Sequence, residues 1–183
     1  IGADVTLLDI DPARLAYLDD IFGSRVTTLY STDHNIESIQ RECDILIGAV
    51  LIPGQAAPKL VRREHLALMK SGAVIVDVAG DQGGCVETIR PTTHDDPGYS
   101  VDEVVHYGVA NMPGSGARSS TQALTSTTLG YPLAIAEQGL ESALRRDGGL
   151  RKGLNLYDGK LTNEAVASSL GMEHSNALSV LGR

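Results

Sequence analysis

The sequence has 183 residues, with no tryptophan, a single phenylalanine and two cysteines. Two cysteines, Cys43 and Cys85, are too few for a disulfide framework, and neither stands in a C-x-x-C motif. A reducing compartment is therefore the default. No apolar run approaches the roughly 20 residues needed to cross a bilayer, and no basic-then-apolar leader opens the chain, so the expected location is the cytoplasm. Basic residues are scarce, 15 against 23 acidic ones, giving a formal net charge of −8. That balance argues against nucleic acid or an anionic membrane surface as a partner. The pairs Arg62-Arg63, Arg145-Arg146 and Arg151-Lys152 read as solvated surface charge. There is no Gly-x-Ser-x-Gly elbow and no Walker loop. His94, in Thr92-Thr93-His94-Asp95-Asp96, has no companions at metal-ligand spacing, so no metal is expected.

What remains is an ordinary globular composition, 42% hydrophobic and 21% charged with 20 glycines, enough for one core or one domain with an appendage. From residue 4 to residue 110 short apolar runs alternate with amphipathic stretches. Val5 to Asp9 reads as a buried strand ending in a carboxylate. Asp11-Pro12 then starts a helix, with Asp as cap and Pro in the first turn, through Leu15, Leu18 and Phe22 to Gly23. Val26 to Tyr30 is strand-like and leads through Ser31-Thr32-Asp33 into a short helix with Ile36, Ile39 and Cys43. Asp44 to Val50 is continuously apolar, the pattern of a parallel strand buried on both faces. After a Pro53-Gly54 turn, Leu60, Val61, His65, Leu68 and Met69 mark a helix that Ser71-Gly72 closes. Ala73 to Val78 and Val104 to Ala110 are further strands, separated by the loop Asp81-Gln82-Gly83-Gly84 and a polar stretch.

Strands alternating with helices on short loops predict an α/β fold, a Rossmann-type doubly wound parallel sheet. The order strand, carboxylate, helix is that of the second half of such a unit. The first strand and its Gly-x-Gly-x-x-Gly turn are expected upstream of Ile1, and the chain is read as a fragment. Residues 1–115 form the partial dinucleotide-binding domain. Residues 116–183 form a mostly helical extension expected to pack with a substrate domain: a helix from Ser119 to Gly139 interrupted at Gly130 and Pro132, a hairpin from Leu154 to Leu161 turning at Asp158-Gly159, and a helix capped by Thr162-Asn163-Glu164.

Ligands in such sheets bind at the carboxyl ends of the strands. Asp9, ending the first strand of this chain, can accept both hydrogen bonds of an adenosine ribose diol and repel a 2′-phosphate, favouring NAD over NADP. Asp11 fits the capping role, which leaves Asp9 for the ligand. Arg14, one turn into the helix, either flanks the adenine and ribose or is surface charge. The same rule selects Val50-Leu51, Ala79-Gly80-Asp81 and Val109-Ala110-Asn111-Met112, with Gly48, Gly83 and Gly84 allowing close backbone approach. Asp81 is the sharpest catalytic candidate, a carboxylate at the mouth of the sheet able to orient water or an amine or to share a proton. Its alternative role is to hold the glycine turn. Cys85 reads as a small packed residue, since no base stands beside it.

Three blocks together resemble a known family. Val50 to Gly54 with Ala57-Pro58-Lys59-Leu60-Val61 is similar to the alanine dehydrogenase and nicotinamide nucleotide transhydrogenase superfamily. Val76 to Cys85 with Arg90-Pro91-Thr92-Thr93-His94, and His106 to Gly114 with Ser120-Thr121 and Ala123-Leu124-Thr125, resemble its alanine dehydrogenase branch. The resemblance implies NAD-dependent interconversion of L-alanine with pyruvate and ammonia in a homo-oligomer, a hexamer. It implies Asp9, Arg14 (where a lysine is frequent), Ser31, Val50, Leu51, Val78 to Asp81, Arg90 and Val109 to Met112 as cofactor contacts, and Asp81 as the catalytic aspartate. The family's catalytic histidine, and the arginine and lysine that hold the substrate carboxylate, belong to an N-terminal domain not represented here. This sequence departs from the pattern at Gly80, where a bulkier aliphatic residue is usual, at Gly114 to Arg118 and Gly130, which lack usual prolines, and at Gln138, in place of a histidine sometimes associated with a metal. Two other readings stay open: the NAD-binding domain of a proton-translocating transhydrogenase, and a non-catalytic NAD-binding fragment.

Overall fold

Alternating branched residues set the first pair of strands. β1 (Val5–Asp9) and β2 (Val26–Tyr30) run parallel, with Val5 opposite Val26 and Asp9 opposite Tyr30. α1 (Pro12–Phe22) joins them. Asp11 caps it by accepting Ala13 N at 2.9 Å, and Pro12 occupies the first turn, where a missing N–H leaves nothing unpaired. Leu15 and Leu18 face inward, and Gly23, at φ +54°, ends the helix. α2 (Asp33–Gln40) starts on a Thr32 cap that accepts Asn35 N at 3.1 Å. It stops before Cys43.

The computed structural model describes residues 2–50, 52, 57–80 and 83–181. Two compact units divide the chain, one comprising Ile1–Leu51 and Ala57–Ala110, the other Ile52–Ala56 and Asn111–Arg183. In the first unit β3 (Ile45–Gly48), β4 (Val74–Asp77), β5 (Gly98–Val101) and β6 (Val104–Tyr107) form a sheet of order β3-β4-β6-β5. β3, β4 and β6 are parallel, and β5 is antiparallel to β6. The core under this sheet is Leu66, Ile75, Val86 and Val104, all nearly inaccessible, with Ile36, Met69 and Ala73 around them. Burying each large aliphatic side chain contributes about 1.5–3 kcal/mol.

Three features differ from the sequence expectations. β3 is not buried on both faces: Ile45 is 60% and Ile47 66% exposed. It ends its sheet, and no described element covers the face carrying those two residues. The helix expected across Leu60 to Met69 is instead a 3₁₀ turn at Arg63–Leu68. Leu60 N and Val61 N both donate to Cys85 O, at 2.9 and 3.1 Å, and Val61 bridges Val86, which holds that backbone extended. β5 falls within the stretch read as merely polar. Its turn uses Asp102 and Glu103 at φ +50° and +65°, positions usually given to Asn or Gly.

The second unit begins with a 3₁₀ turn at Met112–Gly116 and continues as α3 (Ala117–Thr128) and α4 (Gly130–Gln138). Leu129 between them keeps helical angles, so the chain passes Gly130 with little break. α5 (Leu140–Arg146) and α6 (Gly148–Lys152) follow, the latter capped by Asp147, which accepts Gly149 N and Leu150 N at 2.7 and 3.0 Å. β7 (Leu156–Tyr157) and β8 (Lys160–Leu161) form the expected hairpin, with Asp158 and Gly159 at φ +48° and +73°. α7 (Glu164–Leu170) is capped by Asn163, and α8 (Ala177–Val180) ends the unit.

Candidate functional site

Because β1, β2, β3, β4 and β6 are parallel within their sheets, the loops after them are the ligand-binding positions of this fold class. Asp9 closes β1 and Ser31 follows β2. Ser31 N donates to Asp9 O at 2.9 Å, so the two residues are tied together. Asp9 Oδ1 accepts Asp11 N at 2.9 Å, while Asp11 spends its own carboxylate on the helix cap. Arg14 lies at the surface with its guanidinium 5.2 Å from the ring centre of Tyr17, on its own helix.

The second group follows β3 and β4. Val78 N donates to Gly48 O at 2.7 Å, which places Val78 beside the strand end that leads to Val50. Val78 is exposed, while Ala79 and Gly80 are buried. A methyl group at Gly80 would meet Gly108 O and Ile89 Cγ1 at 3.8 Å, an ordinary contact. Leu51 and Asp81 lie outside the described residues.

The third group surrounds the end of β6. Thr92 N donates to Gly108 O at 3.0 Å and Ala110 N to Thr92 O at 3.3 Å, so the segment carrying Arg90 lies alongside Gly108 to Ala110. Arg90 rests 4.1 Å over the ring of Tyr99, and Arg90 N donates to the Tyr99 hydroxyl at 2.7 Å. That hydroxyl in turn donates to Thr88 O at 2.8 Å. On the other side Tyr99 stacks with His106, centroids 5.2 Å apart. His106 is fully buried. Its Nδ1 lies 3.0 Å from Val104 O and its Nε2 2.7 Å from Thr88 Oγ1. A carbonyl can only accept, so Nδ1 carries the proton and Nε2 accepts from Thr88. Burial holds this imidazole below its usual titration range and pushes the Tyr99 phenol up. Asn111 and Met112 follow Ala110 directly and open the second unit.

Sequence reasoning missed the two groups that hold the glycine loop. Asp77, buried at the end of β4, accepts Ala79 N at 3.0 Å, Cys85 N at 2.8 Å and Val86 N at 3.1 Å. Lys59 Nζ donates to the carbonyls of Gly83, Gly84 and Val86. A usable signal was present for Asp77: a carboxylate inside the apolar run Val74 to Val78 has to find donors. Cys85 is buried, and burial together with the Asp77 carboxylate raises its thiol pKa, so it packs rather than attacks. Among the described residues no three His, Cys, Asp or Glu side chains gather as a metal site, and no helix is long and apolar enough to cross a membrane.

The family described as "Alanine dehydrogenase/PNT, C-terminal domain" matches residues 1–164. The chain is 54% identical over 182 residues to an alanine dehydrogenase of Halomonas elongata, covering 100% of this chain and 49% of that protein. It is 53% identical over 178 residues to an alanine dehydrogenase of Methanococcus maripaludis, covering 97% and 48%. Among solved structures, an L-alanine dehydrogenase superposes with a TM-score of 0.81 at 51% identity, covering 93% of this chain and 47% of that one. A transhydrogenase from Sinorhizobium meliloti superposes with a TM-score of 0.56 at 31% identity, covering 66% and 34%. The chain thus spans about half the length of the curated relatives it matches.

Proposed function

Because this chain belongs to the alanine dehydrogenase/PNT C-terminal domain family, we propose that it forms the NAD site of an alanine dehydrogenase. The full-length polypeptide then interconverts L-alanine, NAD+ and water with pyruvate, ammonium, NADH and a proton. The observation that carries this reading is the joining of Asp9 to Ser31 at the ends of β1 and β2. That main-chain bond brings the two residues to neighbouring strand ends, where a Rossmann sheet takes up an adenosine ribose. The donor set suits a pyridine dinucleotide. Asp9 Oδ2 has no partner among the described residues and can accept from the ribose diol, whereas a 2′-phosphate would be repelled. Backbone at Val50, Val78 to Gly80 and Val109 to Met112 follows the neighbouring strands. Arg90, braced on Tyr99, supplies a fixed cation.

Bound NAD supplies the hydride acceptor, and the protein contributes position and electrostatics. Asp9 and Ser31 orient the adenosine end. Arg90 and the backbone of Val78 to Gly80 fix the rest. Asp81 orients the water that hydrolyses the imine formed from alanine and handles its protons. The substrate carboxylate is held by residues outside this chain. We read the whole protein as a cytoplasmic homo-oligomer, a hexamer. Support for the compartment comes from two unpaired cysteines, and sedimentation of the full-length protein measures the assembly.

The test is NADH formation by the full-length protein with L-alanine and NAD, beside an Asp81→Asn variant. Alanine-dependent NADH that collapses in the variant supports both the reaction and the role of Asp81. Intact NADH binding without alanine-dependent turnover would instead favour the transhydrogenase domain or a pure binding module. The transhydrogenase match is the poorer in identity, TM-score and coverage.

A further inference from the structure

One peptide unit of the glycine loop sits between two opposite charges. The amide joining Gly84 to Cys85 donates its N–H to Asp77 Oδ2 at 2.8 Å, while its carbonyl accepts from Lys59 Nζ at 2.9 Å. The same two side chains embrace Val86, whose N–H goes to Asp77 at 3.1 Å and whose carbonyl goes to Lys59 at 3.3 Å. Lys59 completes its donors on Gly83 O. Charge-assisted hydrogen bonds are about twice as strong as neutral ones, and two that polarise one amide from both ends reinforce each other.

The position of this arrangement gives it consequence. Asp77 also accepts Ala79 N at 3.0 Å, and Gly84 N closes back on Ala79 O at 2.9 Å. One buried carboxylate therefore gathers both ends of the loop, residue 79 on one side and residues 85 and 86 on the other. There is no slack around it: a Cβ at Gly84 would lie 2.5 Å from Asp77 Oδ2, and one at Gly48 would lie 2.7 Å from Cys85 Sγ. These bonds hold the described flanks of the loop, residue 79 on one side and residues 83–86 on the other, and Asp81 follows Gly80 in sequence.

We infer that Asp77 and Lys59 are positioning residues, a charge pair acting through the Gly84–Cys85 peptide to present the loop that bears Asp81 and the cofactor-contacting backbone. The inference rests on the reading of Asp81 given above. Among the described residues, the hydrogen bonds of both side chains all go to backbone of residues 79–86. Both act on the reaction through the loop.

The experiment is a set of double-mutant cycles on the full-length protein, following alanine-dependent NADH formation. Lys59 lies at the surface, so Lys59→Met removes the charge with little threat to folding, and a thermal melt checks it. Misplacing a catalytic group slightly can slow a reaction by up to about a hundredfold. Lys59→Met is expected to lower kcat by roughly ten- to a hundredfold, with NADH binding, read by its fluorescence, little changed. Lys59→Arg, which keeps the charge, restores most of the rate. Asp77→Asn lowers kcat comparably, and combining it with Lys59→Met does no further harm, because both act through one amide. In an Asp81→Asn background, Lys59→Met leaves the residual rate nearly unaltered. A merely structural lysine would slow both backgrounds equally. Full activity in Lys59→Met, or an equal loss in both backgrounds, overturns the inference while Asp81→Asn remains slow. An Asp81→Asn protein as fast as the parent overturns the reading of Asp81 itself, and the role of the pair falls with it.

Discussion

A methyl group at Gly108 tests whether the Arg90 segment is held by close backbone contact. An added Cβ there would stand 2.6 Å from Arg90 O and 3.2 and 3.3 Å from Ile89 Cδ1 and Cγ1. Gly108 is not among the residues with positive φ, so space rather than backbone conformation is at issue. Real Cβ atoms essentially never come closer than 3.0 Å, so at least 3.0 − 2.6 = 0.4 Å must be found, and the obstacle is a main-chain carbonyl. The strands part where Thr92 N meets Gly108 O and Ala110 N meets Thr92 O. Overpacking of this kind costs about 1–3 kcal/mol. Taking about 2 kcal/mol, local opening becomes roughly thirtyfold more frequent. Hydrogen exchange followed by mass spectrometry should therefore show the Thr92 and Ala110 amides of Gly108→Ala exchanging about thirtyfold faster. The KM for NAD should rise with the displaced Arg90. Unchanged exchange across residues 90–110 would refute the packing argument, and faster exchange with an unchanged KM would refute the role given to Arg90.

Gly130→Ala should do the opposite, because nothing lies within 4 Å of its Cβ and the residue sits in a helical run. A gain of about 0.5–1 kcal/mol in urea unfolding is expected. His106 makes stability fall with acid. Burial holds its folded pKa below the usual 6.5, so the unfolded chain binds the proton first. Its contribution is complete above that value and is lost as pH falls through it. His106→Asn should flatten the slope of unfolding free energy between about pH 7 and 5. Asp9→Ser removes the charge facing a 2′-phosphate, and the ratio of kcat/KM for NADP over NAD should rise by roughly tenfold or more in the full-length protein. An unaltered ratio would detach Asp9 from the ribose.

The elements that were legible in the sequence were those specified locally. Asp11-Pro12 announces a cap and first turn through chemistry confined to one helix end, and Asp158-Gly159 announces a tight hairpin, since few other pairs accept positive φ twice. The elements that were not legible depend on partners distant in sequence. Leu60 and Val61 have helical spacing, yet Cys85 O, 25 and 24 residues on, takes both their amides. β5 turns back through Asp102 and Glu103, ordinary surface residues whose left-handed angles no local pattern advertises. Of the candidate site, the strand-end rule proposes Asp9 and the loops, since it needs only strand order. Asp77 and Lys59 escaped it because their importance lies in which amides they face, and those amides belong to residues 79–86.

The bare margin of β3 bears on how this polypeptide behaves when made alone. Among the described residues β3 is an end strand with exposed isoleucines at 45 and 47, a row of backbone groups that no described strand pairs beside a greasy surface, the combination that invites one copy to zip onto the next. Solubility in the test tube then depends on two side chains of the strand that leads to Val50. Lysine at either position would serve as a gatekeeper, keeping concentrated samples of this polypeptide monodisperse.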